Sequence, residues 1–150
     1  MATSRWTLRR RFGFTLVEVL IVITVIAILS MIVIPRAMSA RRRAKEAQLR
    51  GNLKQLRDAI ELFEATMAAW PPSVADLMAA NGSGISADFD GRGGWVDRTA
   101  YDGPYLVTGD GQLPHDPFTQ AADWNYDNAS GSVHSSSTLT AIDGTAYNTW

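Results

Sequence analysis

The sequence contains no cysteine in 150 residues, so no disulfide can staple its fold. A chain of this length has room for one small domain plus accessory segments. Without disulfides, that domain must be held together by packing or by a bound ion. The apolar fraction of 46% is ordinary for a globular protein and does not indicate disorder.

Residues and motifs that are typical of catalytic sites are also few. The chain has only two histidines, His115 and His134, and it contains no H-E-x-x-H, Walker or dinucleotide-binding fingerprint. Ser135 follows His134 directly, but neighbours in a strand point to opposite faces of a sheet, so the pair does not suggest a catalytic triad. We therefore expect a protein that is not an enzyme.

Basic residues are nearly absent from the second part of the chain. Residues 58–150 hold 13 of the 15 acidic residues but only 2 of the 14 basic ones, which gives a net charge of -11. Residues 1–57 hold the other 12 basic and 2 acidic residues, a net charge of +10. This division predicts a basic segment near a membrane and an acidic, solvated head. Nucleic acid is not expected to bind the head.

Charge is almost missing from residues 14–34, where Glu18 is the single ionisable side chain. At about 1.5 Å per residue, a helix of this length just spans a bilayer core, so we predict a transmembrane helix. A secretory signal peptide is the first alternative, but no small-x-small cleavage site follows the run. A plain single-pass anchor is the second. Basic residues flank both ends, so the positive-inside rule does not decide the orientation.

The stretch GFTLVEVLIVITVIAILSMIVIPRA, preceded by four arginines, resembles the N-terminus of type IV prepilins and type II secretion pseudopilins. The resemblance implies that residues 1–13 are a leader. It implies that a prepilin peptidase cuts after Gly13 and that the new amine of Phe14 is methylated. Pro35, at the end of the apolar run, also matches the pattern. The leader arginines are Arg5, Arg9, Arg10 and Arg11.

Glu18 is the unusual member of the apolar segment. A carboxylate there costs roughly 2.5–3.5 kcal/mol on insertion scales unless it finds a partner. The resemblance implies that Glu18 pairs with the Phe14 amine of a neighbouring subunit during assembly. The alternative is that Glu18 only extends toward the membrane interface nearby.

Residues 35–69 predict an amphipathic stem helix. Pro35 lacks an N–H and predicts a helix kink. The apolar positions are spaced four and three residues apart, which is typical of one helix face packed under a small sheet. A two-stranded coiled coil is the lesser alternative. The stripe consists of Leu49, Leu53, Leu56, Ile60, Phe63 and Met67.

Residues 70–150 predict a globular head with an α+β fold, in which a small C-terminal antiparallel β-sheet packs on the long N-terminal helix. We expect a short helix over 74–80 and a long loop over 81–103. Three strands are expected over 105–108, 124–127 and 132–136, the last two forming a hairpin.

Within the head, GPYL, LPHDPF and WNY resemble segments of the major pseudopilin (G subunit) of type II secretion. That resemblance implies a calcium-binding loop near the C-terminus, where Asp143 is the candidate ligand. Asn148 stands where an acid would be expected. One carboxylate is few for an ion that takes six to eight oxygens, so calcium is an open cofactor and no other is expected.

The resemblance implies a subunit of a homopolymeric filament, most consistent with the pseudopilus of type II secretion. Expected partners are other copies of the chain, the prepilin peptidase and methylase, minor pseudopilins, an inner-membrane assembly platform with its ATPase, and the lipid bilayer. The expected location is the bacterial inner membrane, with the head outside the cytoplasm, and then a periplasmic or extracellular filament. The alternatives are a type IV pilin of a surface pilus and a membrane-anchored binding module that does not polymerise.

Overall fold

The computed structural model describes residues 13–150, and the chain divides into two compact units, Met1–Ala40 and Arg41–Trp150. Helix α1 covers Leu16–Met67, and strands β1 and β2 cover Asn125–Asp127 and Ser132–His134. Short 3-10 turns lie at Val74–Met78, Gly82–Gly84 and Tyr147–Thr149. One long helix and a small antiparallel sheet confirm the predicted α+β class.

The start of α1 is fixed by Thr15, whose Oγ1 accepts the backbone N–H of Glu18 at 3.2 Å. Threonine is a favoured residue at this capping position because its side chain satisfies an N–H that has no partner within the helix. Pro35 lies inside α1, and the helix continues past it. The proline removes one backbone donor, but a kink there stays a prediction.

The end of α1 is marked by Ala68, which adopts a left-handed conformation with φ of 53°. Its N–H donates to the Glu64 carbonyl at 2.8 Å, closing the last turn. Two prolines follow at 71 and 72, and the residue before a proline disfavours helical geometry, so the helix cannot resume.

The predicted apolar stripe is confirmed as the centre of the core in the unit Arg41–Trp150. Every member of the stripe is at most 5% exposed. Ala59, between two of them, is buried as well. The stripe packs against buried side chains from along the head: Leu77, Val96, Leu106, Val133, Ala141 and Tyr147.

The sheet is smaller than predicted. β1 and β2 form the expected antiparallel hairpin, in which Tyr126 pairs with Val133. The predicted strand over 105–108 is wrong. The N–H groups of Tyr105 and Leu106 both donate to the Leu77 carbonyl, each at 2.9 Å, so they are not available for a strand ladder.

The helix predicted over 74–80 is a five-residue 3-10 turn that ends at Met78. The buried Asp76 accounts for the shortening. Its carboxylate accepts the N–H of Ser73 and the N–H and O–H of Ser86, at 2.7–2.9 Å. These bonds hold the turn beside Ser86, ten residues further along the chain. A helix that continued beyond Met78 would direct the chain away from this contact.

Two more buried aspartates organise the irregular parts of the head. Asp90 accepts the N–H groups of Arg92 and Gly94, at 2.9 and 2.6 Å. Asp116, the aspartate of LPHDPF, is fully buried and accepts the Phe118 N–H at 2.7 Å and the Ser135 hydroxyl. In these places carboxylates satisfy backbone donors that a larger sheet would otherwise pair.

Candidate functional site

The predicted processing site lies in an exposed segment ahead of α1. Gly13 and Phe14 are both exposed, and neither belongs to the helix, which begins at Leu16. A side chain at position 13 would have no atom within 4 Å. The peptide bond between Gly13 and Phe14 is therefore sterically open within the described chain. The leader arginines lie outside the described residues.

Glu18 occupies the third position of α1, directly above the capping Thr15. A carboxylate in the first helical turn interacts favourably with the partial positive charge of the helix N-terminus. Among residues 13–150, no cation forms an ion pair with it. The spacing Thr15-x-x-Glu18 is a recognisable N-cap pattern that sequence reasoning missed. It could have placed the helix start at Leu16.

The apolar run presents a continuous hydrophobic surface within its unit. Its large apolar side chains are exposed, from 48% for Val19 to 83% for Leu16. An 18-residue window has a mean hydropathy of 3.0 and, by length and composition, could cross a membrane. Exposed apolar surface on this scale marks a membrane or protein contact.

Asp143 lies in a tight turn near the C-terminus, where Ala141 N–H donates to the Thr145 carbonyl at 2.7 Å. Its Oδ1 accepts the N–H and O–H of Thr145, at 2.9 and 2.6 Å, and these bonds lower the pKa of Asp143 below its ordinary value. Its Oδ2 lies 3.6 Å from the Arg50 guanidinium.

These contacts do not fit the expected calcium site. Asp116, the buried carboxylate of LPHDPF, is already engaged elsewhere, because it accepts the Ser135 hydroxyl. Within residues 13–150, no group of three or more histidine or acidic side chains could hold a metal ion. Calcium needs six to eight oxygens, whereas Asp143 is already engaged by Thr145 and Arg50.

Comparison with known proteins identifies the N-terminal segment. The prokaryotic N-terminal methylation motif matches residues 8–34, which include Gly13, Phe14 and Glu18. The chain is 31% identical over 71 residues to the type II secretion system core protein G of Pseudomonas aeruginosa. It is 27% identical over 110 residues to the protein of the same name from Aeromonas hydrophila. The chain is thus similar to type IV pilin-like proteins, most clearly in its N-terminal segment.

The matches differ in extent. The Pseudomonas alignment covers 47% of the chain and 50% of that protein, and the Aeromonas alignment covers 73% and 69%. The type IV major pilin PilA of Myxococcus xanthus is 41% identical over 63 residues, or 42% of the chain and 28% of PilA. The chain thus spans half the length of the Pseudomonas relative. No solved structure matches it significantly.

Proposed function

We propose that this pilin-like chain is the precursor of a structural filament subunit, and that the filament is the pseudopilus of type II protein secretion. The observation that carries the proposal is the uncovered apolar surface of α1, which begins three residues after Gly13. Such a surface must be covered by lipid or by other copies of the same helix. A filament subunit uses both environments in turn.

Processing precedes assembly in this proposal. Residues 1–13 form the leader, 14–34 the transmembrane and assembly helix, 35–69 the stem and 70–150 the head. A prepilin peptidase cuts after Gly13, where the backbone is exposed and not helical. The cut removes the leader arginines and creates an α-amino group on Phe14, which the enzyme then methylates. Glu18 is left as an acidic residue four positions from a new cation.

Assembly then depends on Phe14 and Glu18. When the apolar helix moves from lipid into a bundle of identical helices, an unpaired buried carboxylate is costly, and removing one partner of a buried pair costs roughly 3–5 kcal/mol. Pairing of Glu18 with the Phe14 amine of a neighbouring copy offsets this cost. The pairing also fixes the axial step between subunits, because both charges occupy fixed positions on their helices.

The proposed location follows from this sequence of steps. The precursor spans the bacterial inner membrane once, with its acidic head outside the cytoplasm, and then enters a periplasmic filament. An inner-membrane platform and a cytoplasmic ATPase supply the work, and minor pseudopilins join the polymer. The role is mechanical, without a catalytic step.

A surface pilus is the second candidate. It is favoured by the similarity to PilA of Myxococcus xanthus and to the wide pilus component PilA4 of Thermus thermophilus, which is 33% identical over 72 residues. A membrane anchor that does not polymerise is the alternative from another class. A surface pilus predicts filaments at the cell surface, whereas an anchor that does not polymerise predicts no filaments.

Mass spectrometry and imaging test the proposal together. The native protein should begin at Phe14 and carry one added methyl group. Sheared fractions should contain filaments of the processed chain, and those filaments should need the outer-membrane secretin to reach the cell surface. Surface filaments without the secretin would favour the pilus. A chain that begins at Met1, or an absence of filaments from processed protein, would contradict the proposal.

A further inference from the structure

Three charged residues follow one another at four-residue intervals on α1: Arg42, Glu46 and Arg50. Residues four apart lie one above the other on the same helix face. In the unit Arg41–Trp150 that face meets the C-terminal segment, because each of the three contacts a residue between Thr140 and Trp150.

Glu46 makes the central contact. Its Oε1 accepts the Tyr147 hydroxyl and the Ile142 N–H, each at 2.8 Å, and lies 3.7 Å from Arg42 Nε. The side chain is only 12% exposed, so these bonds are partly shielded from water. Arg42 in turn donates to the Thr140 carbonyl. One carboxylate thus holds two points of the C-terminal segment against the stem.

Tyr147 anchors the same segment in the core. It is fully buried, and its ring stacks on Phe118 with centroids 4.1 Å apart. Trp150 packs edge-on against Tyr147 at 5.0 Å, and its indole N–H donates to Thr145 Oγ1 at 2.7 Å. The Arg50 guanidinium lies over the Trp150 ring, 4.3 Å from its centroid.

The turn between these anchors is closed by its own backbone. Thr140 and Ala146 form an isolated antiparallel bridge, and Gly144 has a φ of +89° that suits the bend. Asp143 uses Oδ1 inside the turn and presents Oδ2 to Arg50. A divalent cation at this position would meet the positive charge of Arg50 and would have to compete with it for the same carboxylate.

We propose that Arg42, Glu46 and Arg50 of the stem replace a bound cation in this head, so that its C-terminal loop folds without calcium. Glu46 supplies the attachment, and Arg50 supplies the positive charge beside Asp143. The inference concerns only the unit Arg41–Trp150 and does not require the chain to polymerise.

Thermal unfolding of the full chain in detergent micelles, followed by tryptophan fluorescence, tests this. The midpoint should agree within about 1 °C between excess EGTA and about 5 mM calcium, a concentration that saturates even weak extracellular-type sites. A calcium-induced rise of about 4 °C or more, lost in Asp143→Asn, would overturn the proposal.

Variants of the stem test the attachment itself. Glu46→Gln should lower the midpoint by about 4–8 °C, equally with and without calcium, because it removes the charged acceptor. Glu61→Gln is the matched control: this acid is exposed on the same helix, and its variant should leave the midpoint unchanged. Equal behaviour of the two variants would overturn the proposal. If Glu46→Gln does not fold, Tyr147→Phe replaces it, because this variant removes only one of the bonds to Glu46. It should lower the midpoint by less than the roughly 4–8 °C expected of Glu46→Gln.

Discussion

The Trp70 ring fills the space that a side chain at position 131 would need. A Cβ built on Gly131 would lie 2.4 Å from Trp70 Cε3, closer than two carbon atoms can approach. Gly131 also has a φ of +71° at the end of the hairpin turn. The hairpin and the segment that follows α1 therefore meet where only a glycine fits, for reasons of both space and conformation.

Gly131→Ala should destabilise the head by about 3 kcal/mol, combining left-handed strain with overpacking against Trp70. Gly111→Ala is the matched control, since Gly111 has a φ of +67° but no atom within 4 Å of a Cβ. It should cost only about 1–2 kcal/mol. Denaturant unfolding of the full chain in micelles measures both. Equal losses would mean that the Trp70 ring moves aside easily.

Ala68→Gly should stabilise the head by about 1 kcal/mol. Ala68 is the left-handed residue that ends α1, and glycine adopts this conformation without the steric cost that alanine has. Ala65→Gly, three residues earlier, changes an exposed position inside the helix and should destabilise by about 1 kcal/mol. The test is whether these two alanine-to-glycine substitutions change the free energy of unfolding in opposite directions, as measured by denaturant unfolding. A loss in both variants would contradict the helix end at Met67.

The sequence predicted the parts of this fold that depend on local periodicity. The stripe from Leu49 to Met67 follows from the helical repeat, and burial of Phe63 confirms it. The hairpin follows from a Gly-containing turn between two short alternating runs. Gly13, Phe14 and Glu18 could be singled out because the run that contains them resembles the N-terminus of type IV prepilins, a resemblance that depends on sequence order and not on tertiary structure.

The remaining parts depend on contacts between distant residues. Glu46 and Tyr147 are 101 residues apart, and no local pattern predicts that they share a hydrogen bond. The strand expected at Tyr105 fails because its N–H finds the Leu77 carbonyl, which lies in a turn that the sequence predicts as a helix. Aspartates are usually exposed, so the buried role of Asp116 also had no signal beyond its place between two prolines.

Stability should fall above pH 10 in a way that depends partly on Tyr126. Its hydroxyl donates to the Pro71 carbonyl at 2.7 Å, and burial raises the pKa of Tyr126 far above its ordinary value. The unfolded chain loses this proton from about pH 10, while the folded chain retains it. The contribution is therefore complete below pH 10 and is lost as the pH rises from there toward the folded-state pKa.

Tyr126→Phe should accordingly make the free energy of unfolding decline less steeply between pH 10 and 11.5, a window that begins at the ordinary tyrosine pKa of about 10. The variant loses one hydrogen bond at every pH, so the slope is compared and not the absolute stability. Some decline should persist, because burial also raises the pKa of Tyr101. Identical slopes for wild type and variant would contradict the assigned role.

Glu18→Ala should uncouple membrane insertion from assembly. Cells lacking the native copy should still insert, cut and methylate the variant, because the apolar run and the Gly13–Phe14 bond are unchanged, yet sheared fractions should contain few or no filaments. Glu18→Gln should be nearly as defective, since it keeps the size but loses the charge that matches the Phe14 amine. Glu61→Ala, which removes an exposed acid from the same helix, is the control and should assemble normally.

The magnitude separates this role from simple helix capping. A carboxylate that only favours the start of α1 contributes about 0.3–1 kcal/mol, too little to prevent polymerisation. Loss of a buried charge partner costs roughly 3–5 kcal/mol at each subunit contact, and a filament repeats that cost along its whole length. Wild-type filament yield from Glu18→Ala, measured beside equal amounts of processed protein, would therefore assign Glu18 to the helix start and exclude the proposed pairing with Phe14.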